Sequence, residues 1–155
     1  MKPRLLNMNS LTCAGLSNDL DIPKDKDRIP ALWAKLNSRM PEIKSICGPA
    51  MGVVTRSDKS GCIKYSACIQ VADTRNLPEG LELVTIPSGD YVEFVHTGPV
   101  STLFETCDNA HRSWLPESGF SPGEGPMVEV YPENFRGDEE DTEIKLLFSV
   151  KVTGE

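Results

Sequence analysis

The fold is decided by two stretches that both open with Gly-Pro and continue as strands, Gly48-Pro49-Ala50-Met51-Gly52-Val53-Val54 and Gly125-Pro126-Met127-Val128-Glu129-Val130-Tyr131. A turn over 57–61 follows the first stretch and leads into an apolar strand over 63–71. An acidic turn over 134–141 follows the second and leads into an apolar strand over 144–150. Each stretch therefore predicts a β-hairpin, and the chain contains the same hairpin twice.

A helix-like segment precedes each hairpin. The first, with Pro30 near its start, carries apolar residues at helical spacing: Leu32, Leu36 and Met40, with Trp33 beside them. The second carries one apolar stripe: Leu103, Cys107, Ala110 and Trp114. Residues 102–105, Thr-Leu-Phe-Glu, have the spacing of a capping box at its entrance.

Strands are expected ahead of each helix, over 11–16 in the first half and over 83–86 and 91–96 in the second. The order strand, helix, strand, strand then occurs twice. The sequence predicts an α+β fold with a duplicated strand-helix-strand-strand repeat, approximate two-fold symmetry, an antiparallel sheet and two main helices. We expect a single domain over 1–155, with repeat halves at about 5–73 and 81–153.

The composition is that of an ordinary globular protein, with 39% hydrophobic and 25% charged residues in a chain of 155. No apolar run approaches the ~18 residues that would cross a bilayer, and residues 1–6 have no apolar run behind their basic residues. The five cysteines are an odd set without a C-x-x-C pair, which predicts neither disulfides nor a zinc site. We expect a soluble, reduced, cytoplasmic protein that does not contact membranes.

A net charge of -7 repels a phosphate backbone, so direct nucleic-acid binding is not expected. Such a charge attracts small cations or serves solubility. Cys107 and His111 stand four apart on the second helix, but two ligands do not make a metal site. No nucleophile motif such as G-x-S-x-G is present. We expect no metal, no cofactor and no catalytic residues.

Three stretches carry a family resemblance: Gly89-Asp90-Tyr91-Val92-Glu93-Phe94-Val95-His96-Thr97-Gly98-Pro99, Trp114-Leu115-Pro116-Glu117-Ser118-Gly119-Phe120, and Gly125 to Tyr131. They resemble the GyrI-like small-molecule-binding family, which includes the effector-binding domains of AraC-type and MerR-type multidrug regulators. The chain is similar to stand-alone integron-cassette members that bind cationic drugs. The resemblance implies a pocket for lipophilic cations, lined by aromatic residues around one acid. That acid is Glu129, in a motif that departs at Val128, where an aromatic residue is common.

The alternation of side chains along a strand predicts which side of the sheet Glu129 lies on. Met127, Glu129 and Tyr131 share one side of the strand, while Val128 and Val130 share the other. We expect the two valines to cover the helices together with the apolar face of residues 144–150, so that Glu129 points away from the helices. A symmetric hairpin sets Leu147 opposite Glu129 and Lys145 opposite Tyr131. An alternative role follows, in which Glu129 and Lys145 form a diagonal ion pair on a wet sheet face.

The repeat places Gly52 at the position equivalent to Glu129, and a void at Gly52 would suit a pocket with one acidic end. Aromatic faces add about 0.5–2 kcal/mol of cation–π attraction each. Candidates for the lining, each of which also suits ordinary core packing, are Trp33, Tyr65, Tyr91, Phe104, Trp114 and Tyr131. Met51 and Met127 offer an adaptable surface or fill gaps.

The leading hypothesis is a non-catalytic binding protein for small lipophilic cations, acting as a sensor or sequestering factor without a DNA-binding module of its own. The resemblance also implies a second hypothesis, since some members of the family hydrolyse reactive small electrophiles with a tryptophan and a glutamate: a hydrolase in which Glu129 is a general base and Trp33 or Trp114 positions the substrate. A third is a protein-interaction module of gyrase-inhibitor type that uses the acidic run over 138–141. A transcription regulator or a topoisomerase is the corresponding protein partner.

Overall fold

The structure is a computed structural model that describes residues 3–22, 24–132 and 142–152, with the backbone alone described at Phe104 and Val152. The chain forms two units. The first unit comprises residues 10–87, and the second comprises residues 1–9 with residues 88–155. Both contain antiparallel strands and helical segments, so the fold is α+β as predicted.

The strands in chain order are β1 (Arg4–Met8), β2 (Leu11–Leu20), β3 (Ile46–Arg56), β4 (Ile63–Val71), β5 (Glu82–Ile86), β6 (Gly89–Thr97), β7 (Phe120–Val130) and β8 (Glu143–Val152). The helices are α1 (Arg28–Arg39), α2 (Leu103–Asn109) and α3 (Leu115–Glu117). A π-helical turn, Ala110–Trp114, joins α2 to α3, and single 3-10 turns lie at Met40–Glu42 and Val100–Thr102.

In the first unit the strand order is β3-β4-β2-β5, with antiparallel pairing throughout. Helix α1 packs on one face because Leu32 and Leu36 lie one turn apart and are both buried, against Tyr65 and Ala67 of β4. The Trp33 indole donates a hydrogen bond from Nε1 to the Tyr65 hydroxyl at 3.0 Å. The expected apolar spacing thus holds the helix to the sheet.

Gly15 permits the close approach of β2 to β4. A Cβ added at Gly15 would lie 2.0 Å from the carbonyl oxygen of Ala67 and 2.6 Å from the Cβ of Cys68. Backbone atoms cannot move aside without disturbing the ladder, so a residue without a Cβ is required here.

In the second unit the strand order is β1-β6-β8-β7, again antiparallel. Phe94 and Glu129 are both directly opposite Leu146, on either side of β8, so these three side chains share one face. Strand β7 contains a register shift between Pro122 and Met127, which precedes the paired run that carries Glu129.

The expected halves differ from the units at their ends. Strand β1, which sequence reasoning missed, pairs with β6 of the second unit, whereas β5 pairs with β2 of the first. Strand β1 is a five-residue strand, too short for a clear alternation pattern. A helix and antiparallel strands recur in both units, which is consistent with the expected duplication. The expected single domain over 1–155 stays a prediction.

Two local predictions are wrong. Thr102 makes no side-chain capping bond to the helix backbone, and its hydroxyl instead donates to the Pro99 carbonyl at 2.9 Å, so the expected capping box is absent at this position. The hairpin register also differs by one residue, because Leu146, not Leu147, lies opposite Glu129. A one-residue slip reverses the face of every side chain.

Within the residues that the structure describes, no helix is both long and apolar enough to cross a membrane.

Candidate functional site

Glu129 is a buried carboxylate. Its residue is 8% exposed, and the Tyr131 hydroxyl donates a hydrogen bond to Oε1 at 2.7 Å. Residues two apart on an extended chain point the same way, which brings these side chains together. The predicted neighbourhood of Glu129 and Tyr131 is therefore present.

Apolar side chains surround the carboxylate on its sheet face. Strand β8 places Leu146 opposite Glu129 and Phe148 opposite Met127. Phe94 and Phe148 meet edge to face with ring centroids 5.5 Å apart. Glu129 therefore lies on an apolar, aromatic face of the second unit's sheet.

The covering segment, residues 103–117, lies over this face. Trp114 meets Phe94 edge to face at 4.9 Å, and His111 meets Phe148 in the same way at 4.7 Å. Thr106 contacts His96 of β6 with its hydroxyl. Since Phe94, His96 and Phe148 are on the face of Glu129, the covering segment shields the carboxylate from water.

The negative charge of Glu129 acts on the thiol of Cys107 in the covering segment. Burial raises the pKa of the Cys107 thiol to about 12, with a further contribution from the negative charge of Glu129. The thiol is therefore held protonated beside the carboxylate, where it neither ionises readily nor acts as a strong nucleophile at neutral pH.

The expectation that Glu129 points away from the helices is wrong, and so is the alternative of a Glu129–Lys145 ion pair on a wet face. Lys145 is exposed and lies opposite Val130 and Val95, on the other face of the sheet. Strand β8 faces as expected, because Phe148, on the face it shares with Leu146, contacts the covering segment and Lys145 lies on the other face. The error lies in β7, where Val128 and Glu129 point to opposite faces and are both buried, so that apolar alternation assigned the helix face to the valines.

The structure distributes the other predicted site residues over both units. Met127, half-buried opposite Phe148, and Trp114 of the covering segment share the site with Glu129 and Tyr131. Tyr91 is buried opposite Ser149, on the other face of the same sheet. The side chain of Phe104 lies outside the described part of the chain.

Four predicted lining residues belong to the first unit: Trp33, Tyr65, Met51 and Gly52. Tyr65 and Gly52 are buried on the face that α1 covers, since Ala67 of the α1-packed core lies opposite Gly52. Met51 is buried on the opposite face. The expected proximity of Gly52 to Glu129 stays a prediction.

Sequence reasoning missed several aromatic neighbours of the site: Phe94, His111, Phe120 and Phe148. Phe120 stacks on Trp114 with ring centroids 6.1 Å apart and an interplanar angle of 24°. Phe94 and His96 alternate along β6 and so share one face, which was the available sequence signal. Placing that face beside Glu129 also required the correct register of β6, β8 and β7.

Two shallow clefts of about 260 and 490 Å³ lie on the first unit's sheet. They share Ser17, Thr55, Lys64 and Glu82, and none of the predicted ligand residues lines either of them. Across the described ranges, no three His, Cys, Asp or Glu side chains come together as a metal site would need. The role of Glu129 as the centre of a ligand site stays a prediction.

The model of the GyrI-like small molecule binding domain matches residues 1–151. The chain therefore belongs to the GyrI-like family. No curated protein matches the sequence.

Solved structures show the same fold at low sequence identity. SAV2435 bound to tetraphenylphosphonium is 15% identical, with a TM-score of 0.79 over 97% of this chain and 94% of that one. An integron cassette protein from the mobile metagenome of Vibrio cholerae is 15% identical, with a TM-score of 0.72 over 96% and 95%. A hydrolase from Listeria innocua is 14% identical, with a TM-score of 0.59 over 97% and 92%.

Proposed function

We propose that the protein binds small lipophilic cations at Glu129 and does not transform them. The observation that carries this proposal is the carboxylate itself, which is 8% exposed, is bonded by the Tyr131 hydroxyl, and is set among aromatic rings. The solved complex of SAV2435 with tetraphenylphosphonium, a lipophilic cation, supports the proposal through its common fold.

The physics of desolvation favours this ligand class. A delocalised organic cation is weakly hydrated, so it loses little water when it enters a buried site that holds a carboxylate. Aromatic faces such as Trp114 and Phe148 add about 0.5–2 kcal/mol each where the site is dry. A neutral ligand of the same shape would gain the apolar contacts but no charge pairing.

Access to Glu129 requires movement, because a residue that is 8% exposed offers no room for a ligand of drug size. The covering segment is the element that must move, since its side chains contact the face that holds Glu129. Its π-helical turn, Ala110–Trp114, is a departure from regular helix that is common at functional sites.

The decisive experiment compares Glu129→Gln with Glu124→Gln. The first variant removes the charge while keeping an acceptor for Tyr131, and the second removes an exposed charge from the same strand. Titration with tetraphenylphosphonium, followed by calorimetry or Trp fluorescence, should give roughly tenfold to a hundredfold weaker binding for Glu129→Gln alone. Triphenylphosphine oxide serves as the neutral probe and should not distinguish the variants.

Equal affinity of the parent and Glu129→Gln for the cation would overturn the proposal. Glu129→Asp, which keeps the charge, guards against a folding defect, because its affinity should exceed that of Glu129→Gln. Circular dichroism of each variant provides the folding check.

The absence of catalysis is part of the proposal. It is supported by the raised pKa of Cys107, which leaves the thiol beside Glu129 a poor nucleophile. It is tested with lipophilic ester and epoxide substrates. Product formation that is faster with the parent than with Glu129→Gln would assign Glu129 as a general base and contradict this part.

We further propose that the protein acts as a sensor or sequestering factor in the cytoplasm without contacting nucleic acid itself. The net charge of -7 supports this, because phosphate backbones are repelled. A transcription regulator or a topoisomerase is the proposed protein partner. The acidic run over 138–141, expected as the contact surface, lies outside the described residues. Co-purification of tagged chain with and without tetraphenylphosphonium tests this role.

A further inference from the structure

His96 joins the sheet to the covering segment. It lies on β6 and is 4% exposed, with Nδ1 at 2.7 Å from the Thr106 hydroxyl of α2. Its Nε2 lies 3.0 Å from the Pro99 carbonyl oxygen, in the turn that leads into the covering segment. One imidazole therefore contacts both the body of the segment and the backbone that enters it.

The partners fix the roles of the two ring nitrogens. The Pro99 carbonyl only accepts, so Nε2 carries the proton and donates. In the neutral ring Nδ1 then accepts, and the Thr106 hydroxyl donates to it. The Thr102 hydroxyl also donates to the Pro99 carbonyl at 2.9 Å, which strengthens the anchor at the entrance.

We propose that His96 is a positioning residue that latches the covering segment shut over Glu129 and thereby lowers the protein's affinity for its ligands. This inference rests on the proposed function, in which a cation reaches Glu129 only after the segment moves. His96 contacts no ligand in this scheme. Its hydrogen bonds to Thr106 and Pro99 favour the shut arrangement of the covering segment over the open one.

The sign of the effect follows from population shift. When only a small fraction of the protein is open, the apparent Kd is the intrinsic Kd divided by that fraction. A substitution that breaks the latch raises the open fraction by the factor that the lost contact supplied. The variant is therefore less stable when empty and binds ligand more tightly, which ordinary damage to a binding site does not produce.

Thr106→Val tests the latch, because valine keeps the shape of threonine and removes the hydroxyl that donates a hydrogen bond to Nδ1 of His96. Hydrogen exchange without ligand should be faster in residues 103–117, by on the order of threefold to tenfold, the size of one lost hydrogen bond. The Kd for tetraphenylphosphonium should fall by a similar factor.

Leu147→Val is the matched control. Leu147 is buried on the face of the sheet opposite to Glu129 and loses only a methylene in this variant. It should lower the stability of the fold without lowering the Kd for tetraphenylphosphonium. Tighter binding by this control would overturn the latch, because general destabilisation would then account for the effect.

Two substitutions of His96 each retain one of its two hydrogen bonds and remove the other. Asparagine places an amide near the Nδ1 position and retains an acceptor for Thr106, whereas glutamine reaches the Nε2 position and retains a donor for Pro99. His96→Asn should keep more protection in residues 103–117 than His96→Gln does. The reverse order would overturn the assignment of Thr106 as the contact that holds the segment.

The outcomes separate this inference from the proposed function. Unchanged exchange in Thr106→Val overturns the latch even if Glu129→Gln loses cation affinity. Faster exchange with an unchanged or raised Kd also overturns it, because the latch would not set affinity. If Glu129→Gln binds the cation as the parent does, the proposed function fails while the exchange measurement still reports on the hold of His96.

Discussion

Glu129 is a buried acid whose carboxylate has a hydrogen-bond partner within the protein. The Tyr131 hydroxyl bonds its carboxylate at 2.7 Å, and the described part of the chain contains no buried side-chain nitrogen or oxygen atom without a partner. A buried acid that is satisfied in this way persists in the empty protein, whereas an unsatisfied one would cost several kcal/mol. A ligand must therefore compete with internal hydrogen bonds as well as with the covering segment.

The thiol of Cys107 should report the charge of Glu129. Its pKa is raised to about 12 by burial and by that charge, so Glu129→Gln should lower the pKa and speed thiolate chemistry. At about pH 10, above the ordinary thiol pKa of 9.0, iodoacetamide should label Cys107 faster in Glu129→Gln than in the parent.

Peptide mass spectrometry resolves the sites, and the exposed Cys47 provides the internal control, since its rate should not change between the two proteins. Equal labelling of Cys107 in both proteins would show that Glu129 does not act on it.

At the scale of elements, the pairing of β7 with β8 determines which face of the sheet the Glu129 side chain occupies. The register sets Glu129 opposite Leu146, and with it the choice between a buried acid and a surface one. Turn type fixes register only in short hairpins, and fourteen residues, 131–144, lie between the paired residues Val130 and Lys145. The face of Glu129 was therefore not deducible from the local sequence.

The approach of β2 to β4 gives an element-scale prediction. Gly15→Ala should destabilise the protein by roughly 1–3 kcal/mol, because the new Cβ would meet the Ala67 carbonyl oxygen, which belongs to the backbone. Urea unfolding at neutral pH measures the change in the free energy of unfolding.

Gly48→Ala is the comparison, because the closest atoms to its Cβ would be Oε1 and Cδ of Gln70, at the far end of a side chain that can rotate away, while the fixed Cβ of Gln70 lies 3.0 Å off. Its cost should be clearly smaller than that of Gly15→Ala. Similar costs for the two variants would mean that β2 and β4 separate easily.

For the whole molecule, long-range charge acts before any contact forms. A net charge of -7 from 23 acidic and 16 basic residues draws cations toward the protein and repels anions. Salt screens this attraction at distances beyond the Debye length, which shrinks from about 30 Å at 0.01 M to about 3 Å at 1 M. Contacts inside a buried site are screened much less.

The association rate of tetraphenylphosphonium should therefore fall severalfold between roughly 0.01 M and 1 M salt, while its dissociation rate changes little. Stopped-flow Trp fluorescence measures both rates, and triphenylphosphine oxide is the neutral comparison. A dissociation rate that rises with salt as steeply as the association rate falls would place the bound cation on the surface.

The sequence by itself determined the α+β class, most helices and strands and the hairpin turn over 57–61, because these depend on residues close together in the chain. The candidacy of Glu129 came from the family resemblance, and that of Tyr131 from the strand face that it shares with Glu129. Only the tertiary structure decided that Glu129 faces the helical segment, that Phe94 and Phe148 share its sheet face, and that His96 reaches Thr106. Those contacts join strands distant in the sequence through a register that β7 leaves open, because Val128 and Glu129 are both buried on its opposite faces. Local pattern carries no information on such a register when both faces of a strand are buried.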